Sequence, residues 1–185
     1  MTRLKRYAVL LLLVKSLNEK GSWCGETHIQ KSTYFLQELL GVPLGFEFIL
    51  YKYGPFSFDL SDELTAMRAD KVVDIESRLP YGPGVVPGPR SSLLERLFPK
   101  TLGKYRSRVE FVASELAGYG VSELERIATA LYVRVECARM GNSNFNYRTE
   151  RIHELKPHIA KKEARDALQK ERMISKRAKQ LVRIP

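Results

Sequence analysis

The sequence predicts a mainly α-helical domain with a small β element, an α+β helical domain carrying a short two-stranded hairpin or wing and distantly winged-helix-like. Apolar residues at helical spacing recur along most of the chain. Strand-like alternation is confined to short stretches near residues 46–53 and 71–76. Gly and Pro clusters separate the two kinds of pattern. The chain has 185 residues, 44% of them apolar, which fits one domain with a substantial core.

The first helix is expected over residues 3–19, apolar all round and therefore buried. A turn at Gly21 and Gly25 ends it. Thr27 is a suitable cap for a second helix whose Ile29, Thr33, Leu36 and Leu40 share one face, and Gly41 and Pro43 stop it. Phe46–Tyr53 reads as a strand, with Phe46, Phe48 and Leu50 facing away from Glu47, Ile49 and Tyr51. Gly54 tolerates unusual backbone angles there, and Pro55 suits the first position of a following helix. Ser57 or Asp59 can cap that helix, whose stripe is Leu60, Leu64 and Met67.

A short strand is expected at Lys71–Glu76, then a structureless Pro/Gly-rich loop over 77–90. Tyr105, Val109, Val112 and Leu116 mark another helix. Ser122 and Glu125 have capping-box spacing for one packing through Leu124, Ala128, Leu131 and Val135. The Asn-rich stretch 141–147 is a loop. The last segment begins near Thr149 and breaks at Pro157.

Charge is unevenly divided. The net charge is +10; residues 1–147 hold 19 Lys/Arg and 16 Asp/Glu, while residues 148–185 hold 12 and 5. The domain is therefore expected over 1–157, with 158–185 a basic C-terminal helix or arm. Its seam, Ala160, Ala164, Ala167, Ile174, Ala178 and Leu181, is interrupted by Glu171. A mostly alanine seam buries little area, so the arm should be separable from the core. Lys161, Lys162, Arg165, Arg172, Lys176 and Arg177 are its candidate contacts to an acidic protein surface or to nucleic acid.

Catalytic patterns are absent. His28, His153 and His158 fall in no metal-ligand spacing, and Cys24 and Cys137 form no paired motif. Gly82 and Gly84 lack the Lys of a phosphate loop. Asp59, Asp62 and Glu63 suit a helix N-terminus. The expectation is a non-enzymatic protein with no catalytic residues, cofactor or metal. Arg3, Lys5 and Arg6 before Tyr7–Val14 imitate a signal peptide, but Lys15 closes the run and no cleavage site follows. A cytoplasmic protein without a membrane partner is expected.

Two segments, Ile29-Gln30-Lys31-Ser32-Thr33-Tyr34-Phe35-Leu36-Gln37 and Phe48-Ile49-Leu50-Tyr51-Lys52-Tyr53-Gly54-Pro55-Phe56-Ser57-Phe58-Asp59-Leu60, resemble the start of the SocA/YwgA-like "Panacea" antitoxin domain family. Ile127-Ala128-Thr129-Ala130-Leu131-Tyr132 and Leu155-Lys156-Pro157-His158 resemble two later motifs of that family. Ile29 departs from its pattern, where Leu is usual. The resemblance implies a partner-binding antitoxin or adaptor in a toxin–antitoxin or phage-defence module, its partner a toxin or defence effector. Gln30, Lys31, Tyr53, Gly54 and Pro55 would then join the basic arm as partner-binding residues. The rival is a winged-helix-type DNA-binding regulator, with Thr27–Leu40 as recognition helix exposing Gln30, Lys31 and Gln37.

Overall fold

The computed structural model describes residues 1–77 and 82–183. Among them are eight helices: α1 (Arg3–Glu19), α2 (Glu26–Glu38), α3 (Phe58–Ala69), α4 (Ser91–Leu97), α5 (Pro99–Leu116), α6 (Val121–Arg139), α7 (Phe145–Leu155) and α8 (Lys161–Arg183). Two antiparallel hairpins complete the fold. β1 (Ile49–Tyr51) pairs with β2 (Gly54–Phe56), and β3 (Val73–Glu76) with β4 (Gly84–Pro87). The mainly α class with a small β element is what the sequence predicts.

Helix α1 explains its own composition. Every residue from Tyr7 to Val14 is buried, because α2, α4, α5 and β4 pack around it. Ion pairs tie its two ends down: the Arg6 guanidinium meets the Glu63 carboxylate with two bonds of 3.1 Å, and Lys15 meets Glu95 at 2.7 Å. Ser57 caps α3 as expected, its hydroxyl accepting from the Leu60 amide. Among the described residues, no helix is long and apolar enough to cross a membrane.

Several local expectations are corrected. Pro55 does not start a helix; it lies in β2, opposite Leu50. Helix α2 begins before Thr27, with Gly25 at its cap, and α7 begins at Phe145 with Asn144 as cap. Ser122 and Glu125 form no capping box, since α6 starts at Val121 after Gly120 without a side-chain cap.

The Pro/Gly-rich stretch contains β4, whose glycines permit close backbone approach. A Cβ on Gly84 would lie 2.7 Å from the Trp23 carbonyl oxygen, and one on Gly88 2.5 Å from that of Lys71. Residues 78–81 of the expected loop lie outside the described residues.

The basic arm packs on the body. Helix α8 lies against α6 and α7 and reaches α5. Ala164, Ala167 and Leu168 join Ala130, Val133, Cys137, Ile152 and Ile159 in a second apolar cluster, while Ile174 and Ala178 enter the main core. Glu171, the interruption in the seam, is buried; its carboxylate accepts from Arg134 Nε of α6 at 2.8 Å and from the Ser175 hydroxyl at 2.5 Å. A separable arm is therefore replaced by a helix that covers one side of α6.

Candidate functional site

The β1–β2 hairpin turns through Lys52 and Tyr53 and has two unlike faces. Gly54 and Pro55 are buried on its underside, against α2 and α6. Gly54 has φ +85°, and a Cβ there would lie 3.3 Å from Thr129 Oγ1 and 3.4 Å from the Glu125 carbonyl oxygen. Both the left-handed backbone and the close helix demand glycine.

Buried polar groups grip the hairpin from below. Lys156 Nζ donates to the carbonyl oxygens of Tyr51 at 2.5 Å and Lys52 at 2.6 Å. The same ammonium lies 3.5 Å from Glu125 Oε1, which His158 Nε2 approaches at 3.2 Å. The Glu125 side chain is thus committed to the turn that follows α7, which explains why it is unavailable as a cap. One residue beyond β2, the Gln30 amide makes a two-way bond with the Ser57 backbone, donating to its carbonyl and accepting from its N–H, each at 2.9 Å.

Lys31 is 1% exposed. Burial pulls its pKa down to about 8, the Glu125 carboxylate opposes that shift, and the Lys156 ammonium adds to it. Its charged form is therefore disfavoured in the folded protein. A lysine raised to its ordinary 10.5 on unfolding binds more protons in the unfolded chain, so stability rises with pH between about 8 and 10.5. Lys31→Met should remove a cost on the order of 2–3 kcal/mol at pH 7 and abolish that alkaline rise. Urea melts of both proteins at pH 7 and pH 10 check this; a wild type no more alkali-stabilised than the variant would contradict it.

The outer face is aromatic. Tyr51, Tyr53 and Phe58 are each more than half exposed, and Ile49 nearly so. Tyr51, Phe56 and Phe58 form a mutual cluster with ring centroids 5.1–5.8 Å apart. Such edge-on and tilted contacts hold the rings in place without covering them.

The residues singled out by sequence divide sharply. Gln30 and Lys31 are buried, which corrects their expected exposure: neither can touch a partner or a DNA groove, and α2 is enclosed over His28–Leu36. Gln37 is spent on the Phe46 backbone. Gly54 and Pro55 are likewise buried, and only Tyr53 of this set reaches solvent. Lys161, Lys162, Arg165, Arg172, Lys176 and Arg177 are all exposed on α8. Lys161 pairs with Glu150 at 2.6 Å and Arg177 with Glu115 at 2.5 Å, so these charges spread along the helix instead of gathering at the hairpin.

Sequence reasoning missed Tyr51, Phe58 and Lys156. The alternation of Ile49, Tyr51 and Tyr53 carried a signal for the exposed rings; nothing local marks Lys156, whose partners lie about a hundred positions earlier.

The histidines have local duties. His28 Nε2 donates to the Tyr119 carbonyl at 2.9 Å, and burial lowers its pKa; His153 Nδ1 donates to that of Ile159 at 2.8 Å. Cys24 and Cys137 are both buried, and the Cys24 thiol lies 3.8 Å from the Val14 carbonyl oxygen. Among the described residues, no group of three or more His, Cys, Asp or Glu is placed to hold a metal ion. No model of a known protein family matches the chain, and none of the curated proteins matches it.

Proposed function

We propose that the protein is a non-enzymatic binding protein, an antitoxin or adaptor that neutralises or recruits a partner protein in a toxin–antitoxin or phage-defence module. The single observation that carries this reading is the aromatic face of the hairpin, exposed above and fixed from below. Aromatic side chains concentrate binding energy at protein interfaces, and a contact surface already rigid loses little entropy on binding. A second observation supports the family likeness. Gln30 and Lys31, Gly54 and Pro55, Thr129, and Lys156 and His158 come from the four segments that resemble the antitoxin family, and all converge around this one hairpin.

Partner contact would then centre on Tyr51, Tyr53 and Phe58. Exposed lysines and arginines of α8 would act as rim charges, affecting association rate more than residence time. The test is co-expression with the product of the adjacent reading frame, where that product arrests growth. The wild type should relieve the arrest. Tyr51→Ser/Phe58→Ser should not, while melting within a few degrees of wild type, because both side chains are already half in water. Relief undiminished in the double variant would overturn the assignment of the hairpin as the binding face.

A further inference from the structure

The charge of α8 is less diffuse than its composition implies. Lys161, Lys170 and Arg177 are each neutralised by an acid on a neighbouring helix, Glu150, Glu123 and Glu115 respectively. Lys162 and Arg165 near the start of α8 apart, the cations of that helix that make no ion pair among the described residues are Arg172, Lys176 and Lys179. They stand at i, i+4 and i+7, on one face of α8. That face borders a cleft of about 360 Å³ between α6, α7 and α8, which Arg134 and Arg148 also line.

Five cationic side chains therefore surround one concavity that contains a single carboxylate, Glu171. That carboxylate is buried and already satisfied by Arg134 and Ser175. Arg148 donates through Nη2 to the Asn142 carbonyl at 3.1 Å, and its guanidinium also meets the buried Cys137 thiol. Cations held this close repel one another, and a multivalent anion relieves that repulsion for all of them at once. Guanidinium groups in particular match the oxygens of a phosphate. The volume suits a small ligand; a nucleic-acid duplex would need an extended track of such charges, and Lys161, Lys170 and Arg177, which would be part of that track, are already paired.

We propose that this cleft binds a small phosphorylated ligand with two or more negative charges, held by Arg148, Arg172, Lys176 and Lys179. The site is separate from the hairpin, so its test does not depend on the partner reading.

Calorimetric titration of the full-length protein with inorganic tripolyphosphate, at 50 and 150 mM NaCl, measures the binding directly. A saturable one-to-one interaction is expected. Arg172→Gln/Lys176→Gln should weaken it at least tenfold. Lys161→Gln/Lys162→Gln, which removes the same charge from the same helix outside the cleft, should change it less than twofold. Circular dichroism melts confirm that both variants fold, as all four side chains are exposed. A parallel titration with ATP distinguishes a nucleotide, bound more tightly than tripolyphosphate, from a bare polyphosphate. Equal weakening in both variants would overturn the proposal, showing only general attraction to a basic surface. So would absence of saturation, or binding of a 20-base-pair DNA duplex with which tripolyphosphate does not compete.

Discussion

Removal of residues 158–185 should destroy the native state, not release a dispensable arm. The truncation deletes buried Ile159, Ala164, Ala167, Leu168, Ile174 and Ala178, and bares Ala130, Val133, Cys137 and Ile152 beneath them. Burying an Ile or Leu side chain stabilises by ~1.5–3 kcal/mol, so the three large ones alone account for roughly 6 kcal/mol. That is comparable to the ~5–15 kcal/mol by which a domain is stable at all. Arg134 also loses Glu171, its buried partner. The expected outcome is a protein that aggregates on expression, or one whose melting temperature falls by on the order of 20 °C. A truncated chain that melts within a few degrees of the full one, with the same ellipticity per residue, would contradict the packing of α8.

Lys156→Met should be the most damaging single substitution beneath the hairpin. The side-chain volume is kept, but the carbonyl oxygens of Tyr51 and Lys52 lose their donor, and Glu125 loses its 3.5 Å cationic partner in a buried setting. Taking one member from a buried charge pair costs ~3–5 kcal/mol, because the remaining charge stays desolvated. Lys31→Met carries no such penalty, since Glu125 keeps Lys156 and His158. Opposite signs for two lysines of the same cluster are thus expected in urea denaturation at pH 7. A destabilisation below about 1 kcal/mol for Lys156→Met would show that water replaces the ammonium freely.

Much of the fold is legible in the sequence where one element decides its own state. Helix α1 follows from an apolar run with no polar face, and Ser57 announces its cap because the capping bond is local. Elements decided by distant partners are not legible. β4 lies in a Gly/Pro-rich stretch because glycine lets it approach the Trp23 and Lys71 backbones, a requirement invisible without those neighbours. Glu125 has capping-box spacing but is recruited by Lys156 and His158 instead. Lys31 looks like a surface lysine on a helix, and only the enclosure of α2 makes it an interior one. The same holds for the seam of α8: alanines look too small to dock, yet they allow that helix to lie close on α6 and α7. For the hairpin, the alternation of Phe46, Phe48 and Leu50 with Glu47, Ile49 and Tyr51 gave the correct facing, with the second set exposed.

The central claim is that a buried polar cluster fixes the β1–β2 hairpin so that its aromatic face is preorganised. Hydrogen–deuterium exchange of the peptide spanning residues 50–57 tests it most directly, in the wild type and in Lys156→Met. The wild-type peptide should be protected for minutes or longer. In the variant, protection of this peptide should fall by at least tenfold more than that of the peptide spanning residues 7–17 of α1. A hairpin that exchanges within seconds in the wild type, or one equally protected in both proteins, would contradict the account.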